Sequence, residues 1–202
     1  MTPHGTKEGQ SMARGGPRLP VLRLEELDEV TRAELAPRVA SSPTANILLT
    51  LARHPQLMRS WTPFVGYIFA ETHLEPTEVE LIILRTTWLC RAEYEFSHHA
   101  VIAQRRGLAA EDIDRCVQGA EAAGWSVRQR ALLRAVEALL AEDNIGDPLW
   151  AELAGHYDMR QLMDIVFVCG GYRLAAMTLN ALRVGLEPST PSHSAFASGV
   201  AA

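Results

Sequence analysis

Apolar residues recur at helical spacing through the middle of the chain, and no segment shows the sustained alternation of a β-strand. Ile47, Leu48 and Leu51 form one short apolar face. A second apolar face follows Pro55, which occupies a position where helices often begin, and Pro63 is expected to kink that helix. The pattern therefore predicts an all-α fold.

Helix starts are also marked by capping boxes, in which a polar side chain precedes a glutamate or glutamine by three residues. This spacing occurs at Thr77 with Glu80, at Ser126 with Gln129 and at Asp158 with Gln161. The helix that begins at Thr77 is predicted to run to about Arg106, before Gly107, and the helix that begins at Asp158 is predicted to run to about Gly185. Shorter helices are predicted at Glu111–Gly119 and from Asp147. A capping role would by itself explain Glu80.

The two ends of the chain differ in composition from the middle. Residues 1–19 are rich in glycine, proline and charge and are predicted to form a disordered lead, and residues 188–202 a flexible tail. Residues 20–187 form the predicted domain, which is long enough for one core. The most apolar stretch, near Met159–Leu186, is interrupted by charged residues. We interpret it as a buried core helix and expect no membrane partner.

Charge and cysteine content exclude several functions. The net charge of −5 gives no general attraction to phosphate, so we expect no nucleic-acid partner. Cys90, Cys116 and Cys169 lie far apart and form no CxxC motif. This pattern argues against a disulfide framework and a zinc site, and it suits the reducing cytoplasm.

The densest group of reactive side chains lies at residues 90–99. Glu95 and His99 are one helical turn apart, so the carboxylate can orient the imidazole and favour its protonated form. Such a pair can act as a general acid or base near neutral pH, although the same spacing also occurs in surface ion pairs. Arg91, one turn earlier, can pair with Glu95 or with an anionic substrate. His98 points away from the pair, so we expect no metal site.

The spacing of Glu80, Ala92, Glu95 and His99 resembles the motif of the alkyl hydroperoxidase D family. In that family the positions of Ala92 and Glu95 hold two redox cysteines, and the other two hold the glutamate and histidine of a proton relay. The stretch Glu93–His99 resembles the corresponding stretch of carboxymuconolactone decarboxylase relatives.

Two further segments, Leu51–Leu57 and Glu80–Arg85, resemble the same superfamily, and the resemblance covers about Pro43–Glu187. It implies an alkyl hydroperoxidase D-like helical bundle that assembles as a dimer, trimer or hexamer. It also implies a break in the helix near residues 88–93 and a pocket between the Glu80 helix and the His99 helix. The sequence itself has no glycine or proline at that break.

The resemblance favours a carboxymuconolactone decarboxylase-like lyase. We predict cofactor-free decarboxylation, or a related lyase, hydrolase or isomerase step, on a small organic acid, lactone or keto compound. His99 would move the proton, Glu95 would orient it and Glu80 would complete the relay. Arg91 or Arg85 would hold a substrate carboxylate. Tyr94 is a further candidate for substrate contact.

Two alternatives remain open at this stage. A thiol peroxidase would have to use Cys90, because Ala92 and Glu95 can provide neither the attacking nor the resolving thiol. The second alternative is a non-catalytic helical oligomer that binds a ligand. Tyr172 and Asn180, on the last predicted helix, can either line the pocket or join helices at an interface.

Overall fold

The computed structural model describes residues 16–42 and 44–197. Regular structure in these ranges is entirely helical, so the predicted all-α fold is confirmed. A 3-10 turn at Leu24–Glu26 is followed by ten α-helices: α1 Glu29–Ser41, α2 Ala45–Leu51, α3 Pro55–Ala70, α4 Pro76–Leu89, α5 Glu93–Arg105, α6 Ala110–Gln118, α7 Val127–Glu142, α8 Asp147–Ala154, α9 Met159–Leu182 and α10 Ser194–Ala197. Most of the predicted lead, residues 1–15, and residues 198–202 of the predicted tail lie outside the described residues.

The capping boxes at Ser126 and Asp158 form as predicted. The box predicted at Thr77 and Glu80 is wrong. Glu75 is the N-cap of α4, and the box pairs Glu75 with Glu78. Pro76 decides this register, because proline fits the first helical position, where no backbone N–H is needed. Glu80 is consequently free of a capping role.

The helix predicted to run on to about Arg106 is divided into α4 and α5 by Cys90–Ala92. Arg91 adopts a left-handed conformation with φ of 53°, and the Ala92 N–H donates to the Thr87 carbonyl at 2.8 Å. This is a helix ending that usually carries glycine, so hydrophobic periodicity does not reveal it. The break lets α5 turn back against α4.

Helix α4 is the centre of the fold. Its residues Glu78–Thr87 are all buried, and α4 packs against α5, α6, α7 and α9. The main hydrophobic core surrounds this helix. Helices α1 and α2, here called the α1–α2 unit (residues 29–51), instead share a small separate apolar cluster with Met58 and Trp61 of α3.

The described part of the predicted flexible tail, residues 188–197, packs on the domain. The Phe196 ring lies 5.1 Å from Trp88 and 5.5 Å from Phe96, measured between centroids. The His193 N–H donates to Ser97 Oγ at 3.0 Å. Two aromatic contacts and one hydrogen bond therefore attach the segment to α4 and α5.

Helix α9 is long and apolar enough to cross a membrane by length and composition. However, 56% of its most apolar window is buried inside the protein. The buried Asp164 accepts hydrogen bonds from the Tyr67 hydroxyl at 2.6 Å and from the His73 N–H at 2.7 Å. These intramolecular contacts support the interpretation of α9 as a core helix.

The outer face of α9 carries a stripe of exposed apolar side chains. The stripe consists of Met163, Phe167, Leu174 and Met177, each between 46% and 55% exposed. With Gly170 included, its spacing alternates between four and three residues, as in helices that pack along a second helix. A second copy of the chain presents the same stripe, so we expect self-association through α9.

Replacing both Phe167 and Leu174 with glutamate should reduce the particle to a single chain, because charges would then face one another across the apolar contact. Light scattering after size-exclusion chromatography measures the mass. Val127→Glu changes another exposed apolar residue, outside the stripe, and should leave the mass unchanged. A wild-type monomer, or a double variant with the wild-type mass, would contradict the expectation.

Candidate active site

The three predicted catalytic residues meet between α4 and α5. His99 Nδ1 lies 2.8 Å from Glu80 Oε2, and His99 Nε2 lies 3.5 Å from Glu95 Oε2. All three residues are buried, with exposures of 0% for Glu80, 6% for Glu95 and 2% for His99. We call them the Glu–His–Glu triad. Its imidazole is held between two carboxylates from two different helices.

The break at Arg91 makes this geometry possible, because it folds α5 against the buried middle of α4. The two carboxylates approach opposite nitrogens of the His99 ring. The triad is therefore a linear chain of charged groups and does not surround a common point. Within residues 16–42 and 44–197, no group of three His, Cys, Asp or Glu side chains has the arrangement of a metal site.

Arg106 supplies a further charge that the sequence pattern did not predict. Its Nη1 lies 3.3 Å from Glu80 Oε1, and its guanidinium lies over the Phe69 ring at 4.8 Å from the centroid. Glu80 Oε1 has no aligned hydrogen bond, so this contact is an ion pair by proximity. In the sequence, Arg106 has the position of an ordinary basic residue at a helix C-terminus.

Burial lowers the pKa of His99, but the charges and hydrogen bonds of Glu80 and Glu95 outweigh it and raise the pKa to about 9. The imidazole is therefore protonated at neutral pH. Two carboxylates and two cations, His99 and Arg106, balance one another inside the protein. The site can hold a transferable proton without a net buried charge.

Two aromatic rings fix the His99 side chain. The Phe69 ring stacks on it, with centroids 5.8 Å apart and an interplanar angle of 17°, and the Tyr172 ring meets it edge-on at 5.0 Å. Burial, together with the charges of Glu95 and Glu80, raises the pKa of Tyr172 well above its ordinary value, so its hydroxyl stays protonated. That hydroxyl makes no hydrogen bond to the described residues and remains available to a ligand.

Glu95, His99 and Tyr172 line a cavity of about 310 Å³, here called the triad cavity. Its remaining walls are mostly aliphatic and aromatic: Ile47, Leu48, Leu51, Trp61, Val65, Ile68, Phe69, Ile102 and Ala175. Gly171 lies on the same wall, and a Cβ there would come within 2.8 Å of the Phe64 ring. A cavity of this size and character suits a small, largely apolar organic molecule.

The structure does not bring Arg85 to the triad cavity. Its guanidinium donates to Glu137 Oε1 and to the Cys116 carbonyl, both at 2.9 Å, on the side of α4 that faces α6 and α7. This placement gives no support to the prediction that Arg85 binds substrate. The partner that fixes it lies 52 residues further along the chain.

Arg91 and Tyr94 line a different depression of about 630 Å³, here called the outer cavity, together with Cys90 and Asn180. Neither Arg91 nor Tyr94 lines the triad cavity, so the substrate contacts predicted for them stay predictions. The Asn180 side chain donates to the Cys90 carbonyl at 2.9 Å, which joins α9 to the break between α4 and α5.

Tyr94 and His98 instead belong to an anchor for α2. The Tyr94 hydroxyl donates to Glu187 Oε1 at 2.8 Å, and the Asn46 N–H donates to the same oxygen at 2.8 Å. His98 Nε2 lies 2.7 Å from Glu187 Oε2 as an ion pair, although the two atoms are not aligned as a hydrogen bond. Glu187 thus holds the N-terminus of α2, which forms a wall of the triad cavity.

Glu187→Gln should reduce the free energy of unfolding by about 1–3 kcal/mol, because it leaves buried donors with a weaker partner. Burial raises the pKa of Glu187, but His98, Asn46 and Tyr94 lower it overall, so its contribution is present above pH 4.5 and fades at lower pH. Burial lowers the pKa of His98, but Glu187 raises it overall, so this contribution is full below pH 6.5 and fades as pH rises.

The wild-type advantage over Glu187→Gln should therefore be largest between about pH 4.5 and 6.5, as measured by urea unfolding across the pH range. Glu111→Gln changes an exposed carboxylate on α6 and serves as the control. A constant difference at every pH would contradict the ion pair between His98 and Glu187.

Comparison with known proteins shows a family that this part of the chain resembles. The family model of the carboxymuconolactone decarboxylase family matches residues 55–138, a segment that contains the whole triad. No curated protein matches the chain significantly.

Solved structures share the fold. An uncharacterized peroxidase-related protein from Ralstonia eutropha JMP134, described as an alkylhydroperoxidase AhpD core, is 20% identical, with a TM-score of 0.75 over 87% of this chain and 95% of that one. A peroxidase-related protein from Silicibacter sp. TM1040 is 16% identical, with a TM-score of 0.75 over 90% and 97%. The debrominase Bmp8 is 18% identical, with a TM-score of 0.69 over 80% and 90%. A variant of it was solved with 2,3,4-tribromopyrrole.

Residues 55–138 match the carboxymuconolactone decarboxylase family, and the chain shares the fold of an alkyl hydroperoxidase D-like protein, in agreement with the resemblance in its motif. At least one protein with this fold, the debrominase, is an enzyme. The family model begins at Pro55, the first residue of α3, and ends within α7. The α1–α2 unit therefore lies outside the matched segment.

Proposed function

We propose that this protein is an enzyme that carries out cofactor-free acid–base chemistry, decarboxylation in the first instance, on a small organic acid, lactone or keto compound. The observation that supports this proposal is the Glu–His–Glu triad at the wall of the triad cavity. A protonated imidazole is held between two carboxylates, and both His99 and Glu95 line a space large enough for a small molecule. Such a group can deliver a proton to a bound substrate.

Decarboxylation needs a place for electrons and a source of a proton. The bond between the carboxylate and its carbon breaks, carbon dioxide leaves, and the electron pair moves into a neighbouring carbonyl to give an enolate. The unpartnered Tyr172 hydroxyl can donate a hydrogen bond to that enolate oxygen. The Nε2 proton of His99 then passes to carbon, the enolate electrons form the new C–H bond, and solvent reprotonates His99.

Each carboxylate has a distinct role in this scheme. Glu80 accepts a hydrogen bond from the Nδ1–H of His99 at 2.8 Å, and this contact directs the Nε2 proton towards the cavity. Glu95 holds that proton between turnovers and is the carboxylate that lines the cavity. Arg106 offsets the charge of Glu80 when His99 becomes neutral. The same groups can move a proton within a substrate, so isomerisation or hydrolysis uses the triad in the same way.

A thiol peroxidase is less well supported. Cys90 lines the outer cavity, away from the triad, and burial raises the pKa of its thiol, which disfavours the reactive thiolate. Ala92 is fully buried and has no reactive group. A non-catalytic oligomer is also less well supported, because Glu95 pairs with His99 of its own chain and borders a cavity.

The first test is carbon dioxide release from carboxymuconolactone by the purified protein. We expect release by the wild type and by Glu93→Gln, which changes a carboxylate on the same helix outside the triad cavity. We expect Glu95→Gln to lose it. Equal release by Glu95→Gln would contradict the role of the triad. No release by any of the three proteins would contradict the decarboxylation of this substrate.

A further inference from the structure

The α1–α2 unit supplies the outer wall of the triad cavity. Arg38, Thr44, Ile47, Leu48 and Leu51 all line the cavity and all come from α1, α2 or the turn between them. This unit precedes the segment that matches the family model. It also has its own small hydrophobic cluster, separate from the main core. The residues that select a substrate can therefore lie in the α1–α2 unit, outside the segment that carries the triad.

The cavity has a buried end and a solvent end. His99, Glu95 and Tyr172, with exposures of 2%, 6% and 5%, mark the buried end. Arg38 is exposed and marks the solvent end. The wall between them is mostly apolar. A molecule that reaches the triad must therefore place an apolar body along the cavity and one of its ends near Arg38.

Arg38 differs from the other arginines of this region. Arg32 donates to the Leu27 carbonyl, Arg53 to the Pro20 carbonyl and Arg59 to Glu34. The Arg38 guanidinium makes no hydrogen bond or ion pair with residues 16–42 or 44–197. Arg38 is therefore available to a ligand. A guanidinium at the rim of an apolar cavity pairs well with a planar carboxylate.

We propose that Arg38 is a specificity-determining residue that binds a carboxylate which the substrate retains through the reaction. The reacting group lies at the triad, so the carboxylate at Arg38 is at the opposite end of the molecule. The substrate class is thus an elongated organic acid with an apolar middle. The position of the reacting end rests on the proposed function. The recognition of the acid by Arg38 does not.

Binding of two unreactive probes tests this inference. 3-Phenylpropanoate carries a phenyl ring and a carboxylate, and 3-phenylpropanamide has the same shape without the charge. Isothermal titration calorimetry should give the wild type at least a tenfold lower Kd for the acid, which corresponds to about 1.4 kcal/mol. In Arg38→Gln the preference should fall to about twofold or less. Arg130→Gln changes an exposed arginine on α7 that does not line the cavity, and it should behave as wild type.

A second variant locates the bound probe. Leu48 lies on the same wall of the triad cavity, and Leu48→Glu adds a negative charge there. It should weaken binding of the acid more than binding of the amide. Equal affinity of the wild type for both probes, an unchanged preference in Arg38→Gln, or no binding of either probe would overturn the inference. Because the probes do not react, these outcomes are independent of the carbon dioxide assay.

Discussion

His99→Asn is expected to lower kcat by about 10²- to 10⁴-fold, the range that a positioned general acid or base contributes. Asparagine can still hydrogen-bond to Glu80, but it cannot carry a transferable proton. Since the pKa of His99 is raised to about 9, the wild-type protein holds that proton throughout the neutral range. Steady-state kinetics with a substrate that the wild type turns over measure the loss of kcat.

His156→Asn is the matched control, because His156 lies beyond the end of α8 and does not line the triad cavity. Its kcat should stay within about twofold of wild type, as its side chain takes no part in the proton transfer. Circular dichroism should show both variants folded. A His99→Asn variant with wild-type kcat would contradict the proposed role of His99.

Glu80→Gln is expected to have the largest effect on the electrostatics of the site. The variant keeps the shape of the side chain but removes the charge that raises the pKa of His99. That pKa should fall below the wild-type value of about 9, because the burial that lowers it is no longer offset by Glu80. Breaking a buried ion pair from one side should also cost about 3–5 kcal/mol of folding free energy.

The stability that Glu80 contributes should depend on pH in a defined direction. The folded pKa of His99 lies above its ordinary value of 6.5, so the stabilisation is full below pH 6.5 and is lost as pH rises through about 9. The stability difference between wild type and Glu80→Gln should accordingly be larger at pH 6 than well above pH 9. Urea unfolding measures the stability, and NMR titration of the His99 ring measures the pKa.

Glu137→Gln provides the control for Glu80→Gln, because it breaks the pair with Arg85 on another side of α4. It should lower stability without moving the pKa of His99. If Glu80→Gln leaves that pKa at its wild-type value, Glu80 does not control the charge of the triad.

The triad could be predicted from the sequence because its members are close in the chain and follow a motif. Glu95 and His99 are one turn apart, and the resemblance supplied Glu80. Local spacing could not predict the helix break between α4 and α5, which brings the three residues together. Arg91 takes a left-handed conformation that usually belongs to glycine, so the sequence carries no local signal there.

The position of the predicted substrate-contact residues could not be predicted, for a different reason. Arg85 and Tyr94 looked available because their partners, Glu137 and Glu187, lie 52 and 93 residues away in the chain. Such long-range pairs cannot be read from helical spacing, which reports only neighbours within about one turn. Arg38 went unnoticed for the same reason, since only the folded α1–α2 unit brings it to the cavity.

The capping error at Glu80 shows how two local rules can compete. Both Thr77 with Glu80 and Glu75 with Glu78 pair a capping side chain with a glutamate three residues on. Pro76 settles the choice, because it belongs at the first helical position. The correction strengthens the functional interpretation of Glu80, since a fully buried carboxylate without a capping role needs another reason to be there.

The most direct test of the account is turnover of carboxymuconolactone in D₂O, followed by NMR of the product. The account predicts loss of carbon dioxide and one deuterium newly bound to carbon in the product, with both events abolished in Glu95→Gln and retained in Glu93→Gln. Product formed at the same rate by Glu95→Gln, or no turnover by the wild type, would contradict the claim that the Glu–His–Glu triad delivers a proton to carbon in a decarboxylation.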